Sequence, residues 1–136
     1  MAAAVQVAKR FSGKLTLMNV YSVTVTPLVM PEPTTSMPGV PMAPSADVSK
    51  LIDDAARVGR NILKAGEEVA KREGVDVESV LREGHVVEEI ISIVGERGFD
   101  LIVLGARGMS HIRQLLLGSV TDGVIHHVKC PVLIVK

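Results

Sequence analysis

The sequence predicts an α/β domain, a parallel sheet with helices on both faces, and three observations carry that prediction. Helical and strand-like patterns alternate strictly along the 136 residues. Connections are short outside one proline-rich stretch, and the run 101–104 is apolar without a polar break. Strict alternation with short links calls for right-handed βαβ crossovers, and an unbroken apolar strand suits a sheet covered on both faces. The length fits one domain spanning 1–136. With 2% aromatic residues and no Trp, a core drawn from 47% apolar content must be Val, Ile, Leu, Met and Ala.

Each element has its own signal. Residues 1–11 read as a helix with Ala4, Val5, Ala8 and Phe11 on one face and Gly13 as its left-handed stop. Residues 15–20 read as a strand. The segment at about 22–46 holds six of the seven prolines; without an amide proton Pro suits neither helix nor central strand, so a long, mobile insertion is predicted. Only 23–26 has strand character there. Asp47 or Ser49 can cap a helix reaching about residue 73, with an inward stripe of Val48, Leu51, Ile52, Ala55, Ile62, Val69 and Ala70, ended by Gly74. A strand over 75–81 follows, then Gly84 and a helix over 86–96 with Val87, Ile90, Ile91 and Val94 inward, closed by Gly98. After the strand 101–104 come a loop, a helix near 119–128 and a last strand over 131–135.

Charge and composition exclude several functions. Fifteen Lys and Arg balance fifteen Asp and Glu, so no long-range field draws the chain to nucleic acid or an anionic membrane. The scarcity of aromatics removes stacking platforms for single strands. No run approaches the roughly 18 apolar residues of a membrane helix, and no signal-peptide pattern opens the chain. Cys130 is the only cysteine, in an apolar run, and reads as inert packing in a reduced setting. A soluble, cytoplasmic protein is the expectation.

The informative segment is Gly105-Ala106-Arg107-Gly108, then nine residues, then Gly118-Ser119. It begins where strand 101–104 ends, at the carboxyl edge of the sheet, where open α/β sheets bind ligands. Glycines let backbone amides approach an anion with no Cβ in the way. Gly118-Ser119-Val120-Thr121 opens the next helix, so its free amides and dipole face the same space, and the Ser119 and Thr121 hydroxyls add donors. Two glycine turns converging on one anion suit a nucleotide phosphate chain. Arg107 and His111 lie beside the glycines and could reach phosphate oxygens or be solvated loop residues. His126 and His127 are adjacent on a helix and point apart, a poor metal pair.

These residues resemble the universal stress protein family. The ATP-binding branch carries G-x-x-G-x9-G-[ST], matched here at Gly105, Gly108, Gly118 and Ser119, with further likeness at Asp100 and through Gly84-His85-Val86 with Ile90. The resemblance implies a single-domain Rossmann-like fold of the adenine nucleotide alpha hydrolase type, family strand order 3-2-1-4-5. It implies ATP, or ADP or AMP, with Gly105, Gly108, Gly118, Ser119 and Val120 around ribose and phosphates and Leu104 and Val20 near the base. Mg or Mn would accompany the phosphates, with Ser119 or Thr121 as contacts. It also implies an antiparallel homodimer through the edge strand Val132, Leu133, Ile134 and Val135.

The chain departs from the family in having no counterpart of the central first strand, whose Asp touches adenine. A shortened version of a longer protein is the favoured origin. The neighbouring strands could close ranks, or 23–26 or a partner chain could fill the gap. Catalysis would need a base held against the phosphates, yet there is no Walker Gly-Lys-[Ser/Thr] and no convincing Asp or Glu next to the glycine loop. A nucleotide-binding stress or signalling module is the primary reading. A slow ATPase and an interaction protein that binds no nucleotide remain its rivals.

Overall fold

A computed structural model describes residues 1–23, 46–106 and 117–136. Eight elements alternate as the sequence predicts: α1 (Ala2–Arg10), β1 (Leu15–Tyr21), α2 (Ala46–Arg72), β2 (Val77–Glu83), α3 (Val86–Arg97), β3 (Ile102–Gly105), α4 (Ser119–Ile125) and β4 (Val132–Val135). Residues 24–45 lie outside the described residues, so the strand expected over 23–26 is not described beyond Val23, which is in no element.

Both helix ends bordering β1 and β2 are set by main-chain geometry. At the end of α2, Gly74 takes a left-handed φ of 75°, its N–H bonds Lys71 O, and Val75 N–H reaches Ala70 O at 3.0 Å. This is a Schellman closure, completed by apolar contact between Val75 and Ala70. The end of α1 repeats the pattern one residue earlier than expected. Ser12, not Gly13, holds the left-handed φ, at 51°, because Gly13 N–H is the donor that reaches back to Ala8 O. Val5, Ala8, Ala70 and Val75 then form one buried cluster, with Leu15 and Val77 against it. Phe11, expected on that face, lies past the last turn and is 77% exposed.

The inward face of α2 also differs from the expected stripe. Ala56, Gly59, Leu63, Gly66 and Ala70 are buried, whereas Leu51, Val58, Ile62 and Val69 are exposed. Close approach to the sheet selects the small residues. A Cβ on Gly59 would lie 2.7 Å from both Asn19 Oδ1 and Leu81 Cδ1. Ile93, absent from the expected inward face of α3, is its most buried residue. Val87 instead faces α4, where it meets the position a Cβ on Gly123 would take.

The strands form two parallel pairs, β1 with β2 from Leu15↔Val77 to Tyr21↔Glu83, and β3 with β4 from Ile102↔Val132 to Gly105↔Val135. β1 and β3 are not hydrogen-bonded to each other, so the strands do not close ranks. A cavity of about 940 Å³ separates them, lined by both strand edges and by apolar side chains of α2 and α3. This opening explains why residues 101–104, expected to be fully covered, are only half-buried. Among the described residues no helix is long and apolar enough to cross a membrane.

Candidate functional site

The carboxyl ends of β1 and β3 lie on the same cavity. Val20, Leu104 and Gly105 all line it, so three residues expected around a base and ribose share one space. A nucleotide-sized ligand needs such a volume, a few hundred to a thousand Å³. Tyr21 follows Val20 and donates its hydroxyl to Glu83 Oε2 at 3.2 Å. Burial, then the hydrogen bond to that carboxylate, pushes the phenol above its ordinary range, so it stays a neutral donor to Glu83.

Beyond β3 the chain turns sharply and is tied back by main-chain bonds. Ala106 is buried, its N–H donates to Val135 O at 2.7 Å, and its carbonyl accepts Gly118 N–H at 3.0 Å. One residue therefore links the end of β3, the end of β4 and the start of α4. Residues 107–116 lie between these ties, so Arg107, Gly108 and His111 fall outside the described residues. The two ends of the glycine segment are nonetheless held side by side.

Gly118 stands at the N-cap of α4 with φ −61° and ψ 149° and no side-chain cap. Any residue can adopt that backbone, so the glycine supplies space rather than an unusual turn. Asp122 N–H closes the first helical bond on Gly118 O. Among the described residues the amides of Ser119, Val120 and Thr121 meet no main-chain acceptor, as expected for a first turn. Ser119 is exposed and Val120 half-buried.

Thr121 has a different place from the one its hydroxyl suggested. The side chain is 3% exposed, and its Oγ1 donates to Gly105 O at 2.8 Å. The hydroxyl hydrogen is committed to the frame. Ala106 and the Gly105 carbonyl, which do the tying, escaped the sequence reading because main-chain bonds across a loop leave no residue signature. The buried threonine one turn into a short helix was the only available hint. His127 donates from Nδ1 to Gly123 O at 2.7 Å, and His126 lies 3.6 Å from Asp122, so the two histidines have separate local partners.

Comparison with known proteins completes the description. The sequence profile of the universal stress protein family matches residues 1–136. Universal stress protein YxiE of Bacillus subtilis is 32% identical over 134 residues, covering 98% of this chain and 86% of that protein. Among solved structures, universal stress protein UspA from Lactobacillus plantarum superposes with a TM-score of 0.79 at 22% identity, over 99% of this chain and 86% of that one. That likeness is one of fold. A universal stress protein solved in complex with cAMP superposes with a TM-score of 0.61 at 25% identity, over 98% and 82% of the respective chains.

Proposed function

The chain belongs to the universal stress protein family, and from that membership we propose that it is an adenine-nucleotide-binding stress or signalling module that holds ATP without efficient turnover. The observation that carries the reading is the hydrogen bond from Gly118 N–H to Ala106 O. It brings the amide-rich start of α4 against the end of β3, beside the cavity that Val20, Leu104 and Gly105 line. Phosphates would lie along the amides of Ser119 and Val120 and the glycine loop with Arg107 and Gly108. The base would lie toward Val20 and Leu104. A relative whose structure contains cAMP supports the adenine class.

A net charge of zero fits this division of labour, since local amides rather than a diffuse field would neutralise the phosphates. Mg or Mn accompanying a triphosphate would meet Ser119, whose side chain is exposed; the Thr121 hydrogen is already given to Gly105. The sequence has no Walker Gly-Lys-[Ser/Thr] pattern, which supports binding over hydrolysis. Calorimetric titration with ATP, ADP, AMP and cAMP tests the reading. Gly118→Val places a branched side chain on the phosphate face and abolishes binding with helical circular dichroism unchanged; unaltered affinity removes the phosphate assignment. Timed phosphate release at saturating ATP separates a binder from a slow ATPase.

The same family reading includes a homodimer through β4. Ile102 N–H bonds Pro131 O and Ala106 N–H bonds Val135 O. By the alternation of a parallel ladder, Val132 and Ile134 then turn their main-chain groups to the outer edge. Leu133 is also 37% exposed. An apolar edge of this kind, flanked by Pro131 and Lys136, favours pairing with its own copy. Light scattering is expected to return twice the 14.5 kDa chain mass; a monomeric mass at micromolar concentration rejects the dimer.

A further inference from the structure

We propose that the outer edge of β2 pairs with the same edge of a second copy of this chain, antiparallel about a two-fold axis through Val80. The inference stands apart from the nucleotide and from pairing through β4. Among the described residues β2 is bonded to β1 alone, and the ladder fixes which of its groups are left over. Leu15 N–H bonds Asp76 O, and Gly84 N–H bonds Tyr21 O, so the even residues of β2 face β1. Val77, Ser79, Leu81 and Glu83 therefore direct their N–H and C=O groups outward, along the open edge.

An open edge can accept many strands; the order of side chains selects this one. Leu81 lies against Gly59 of α2, so Glu78, Val80 and Arg82 stand on the opposite face of the strand, where Glu78 meets Thr16. Glu78 and Arg82 are equally spaced about Val80 and opposite in charge. Rotation about Val80 sets each Glu78 directly across from the partner's Arg82, at roughly 5 Å between Cβ atoms. The hydrogen-bonded pairs are then Ser79 with the partner's Leu81 and Val77 with the partner's Glu83, so one axis satisfies the main chain as well. Glu78 accepts from Lys14, Thr16 and Arg97, and a carboxylate has room for about four such bonds. Arg82 donates to Glu96 and keeps further donors on its guanidinium fork.

α2 carries a second match on the other face. A Cβ on Gly59 would lie 2.7 Å from both Asn19 of β1 and Leu81 of β2, which centres the helix between the two strands. With strands about 4.8 Å apart, its copy would run antiparallel to it at about 10 Å, the distance of packed helices. One flank of α2 carries Ile62, which lines the cavity beyond β1. The opposite flank, toward the open edge, carries Arg60 and Glu67. Gly59 lies at the level of Leu81 and Gly66 at the level of Leu17, which is registered with Ser79, so the axis passes near residue 63. Arg60 then faces the partner's Glu67. Two symmetric matches of opposite charge on one axis admit the chain's own copy and penalise unrelated edges.

Cross-linking tests the register. In a Cys130→Ser chain, Val80→Cys places two thiols on opposed residues about 4.5 Å apart at Cα, within disulfide reach. Glu83→Cys in the same background leaves its two copies about 20 Å apart along the paired strands. In a glutathione redox buffer the Val80→Cys chain is expected to form disulfide dimers at least tenfold faster than the Glu83→Cys chain. Equal rates overturn the proposal, as does the absence of a Val80→Cys dimer at sub-millimolar concentration. Sedimentation of a cysteine-independent variant gives a second reading. Arg82→Glu sets like charges across the axis and should weaken the concentration-dependent association at least tenfold, with circular dichroism unchanged. Association identical to the parent's, which is what pairing through β4 alone would give, overturns the proposal as well.

Discussion

Replacing Thr121 by Val keeps the shape and the branch at Cβ and removes only the hydroxyl. In the structure that hydroxyl is 2.8 Å from Gly105 O, in a residue 3% exposed. The substitution removes the donor of a part-buried bond to the main chain, at a cost of about 1–2 kcal/mol. Helix propensity contributes almost nothing to the difference, since Thr and Val rank together. For a chain of 136 residues, each kcal/mol moves the unfolding midpoint by about 4 °C, so a fall of about 4–8 °C is expected without any nucleotide. The assay is thermal unfolding by circular dichroism, paired with ATP calorimetry. Ser119→Ala is the control, because Ser119 is exposed and makes no capping bond; its midpoint stays within about 1 °C of the parent. Refutation is equally concrete. If Thr121→Val unfolds at the parental temperature but loses more than tenfold in ATP affinity, the hydroxyl serves the ligand and the clamp on Gly105 is of no consequence.

Two further substitutions test the packing of α2. Gly59→Val puts a branched side chain where a Cβ alone is 2.7 Å from Asn19 and Leu81, a directly paired couple across β1 and β2; overpacking should cost about 1–3 kcal/mol in urea unfolding, and parental stability would disprove the close approach. Gly66→Ala meets only Met1 Cε and Leu17 Cδ1, free ends of side chains that can swing aside, while gaining about 1 kcal/mol of helix propensity. It should therefore be neutral to slightly stabilising, and a loss as large as that of Gly59→Val would contradict this. Glu78 supplies a pH dependence. Hydrogen bonds from Lys14 and Thr16 hold its carboxyl below the usual glutamate range, with charge from Lys14 and Arg97 adding to them. The folded-state pKa being depressed, the stabilisation is complete above the unfolded-state pKa and is lost as pH falls through the folded one. Glu78→Gln should lower the midpoint at neutral pH and flatten its acid limb; an acid limb identical to the parent's would exclude Glu78 as a contributor.

The order of elements was legible in the sequence because each has a strong local signature, and all eight occur where periodicity places them, within a few residues. Burial was less legible. Reading α2 by its large apolar residues picked out Leu51, Ile62 and Val69, which are exposed, over Gly59 and Gly66, which are buried. The helix has two usable faces, and only the proximity of Asn19, Leu81, Met1 and Leu17 decides between them. Helix ends had the same weakness, for the Schellman bonds at Ala8 choose Ser12 over the neighbouring glycine. At the candidate site, residue types indicated which groups could meet an anion. They did not indicate that Thr121 turns inward to Gly105, because a hydroxyl that binds ligand and one that binds the frame look alike in a sequence.

The two halves of the proposed nucleotide site rest on unequal foundations. The described ends of the phosphate half are held by three bonds to main-chain carbonyls: Ala106 to Val135, Gly118 to Ala106, and Thr121 to Gly105. The base half is a wall of the open cavity between β1 and β3, since Val20 and Leu104 both line it. A bound adenine would therefore have to order the cavity wall at Val20 and Leu104, whereas phosphates at the start of α4 would meet amides that the Gly118 and Thr121 bonds already hold in place.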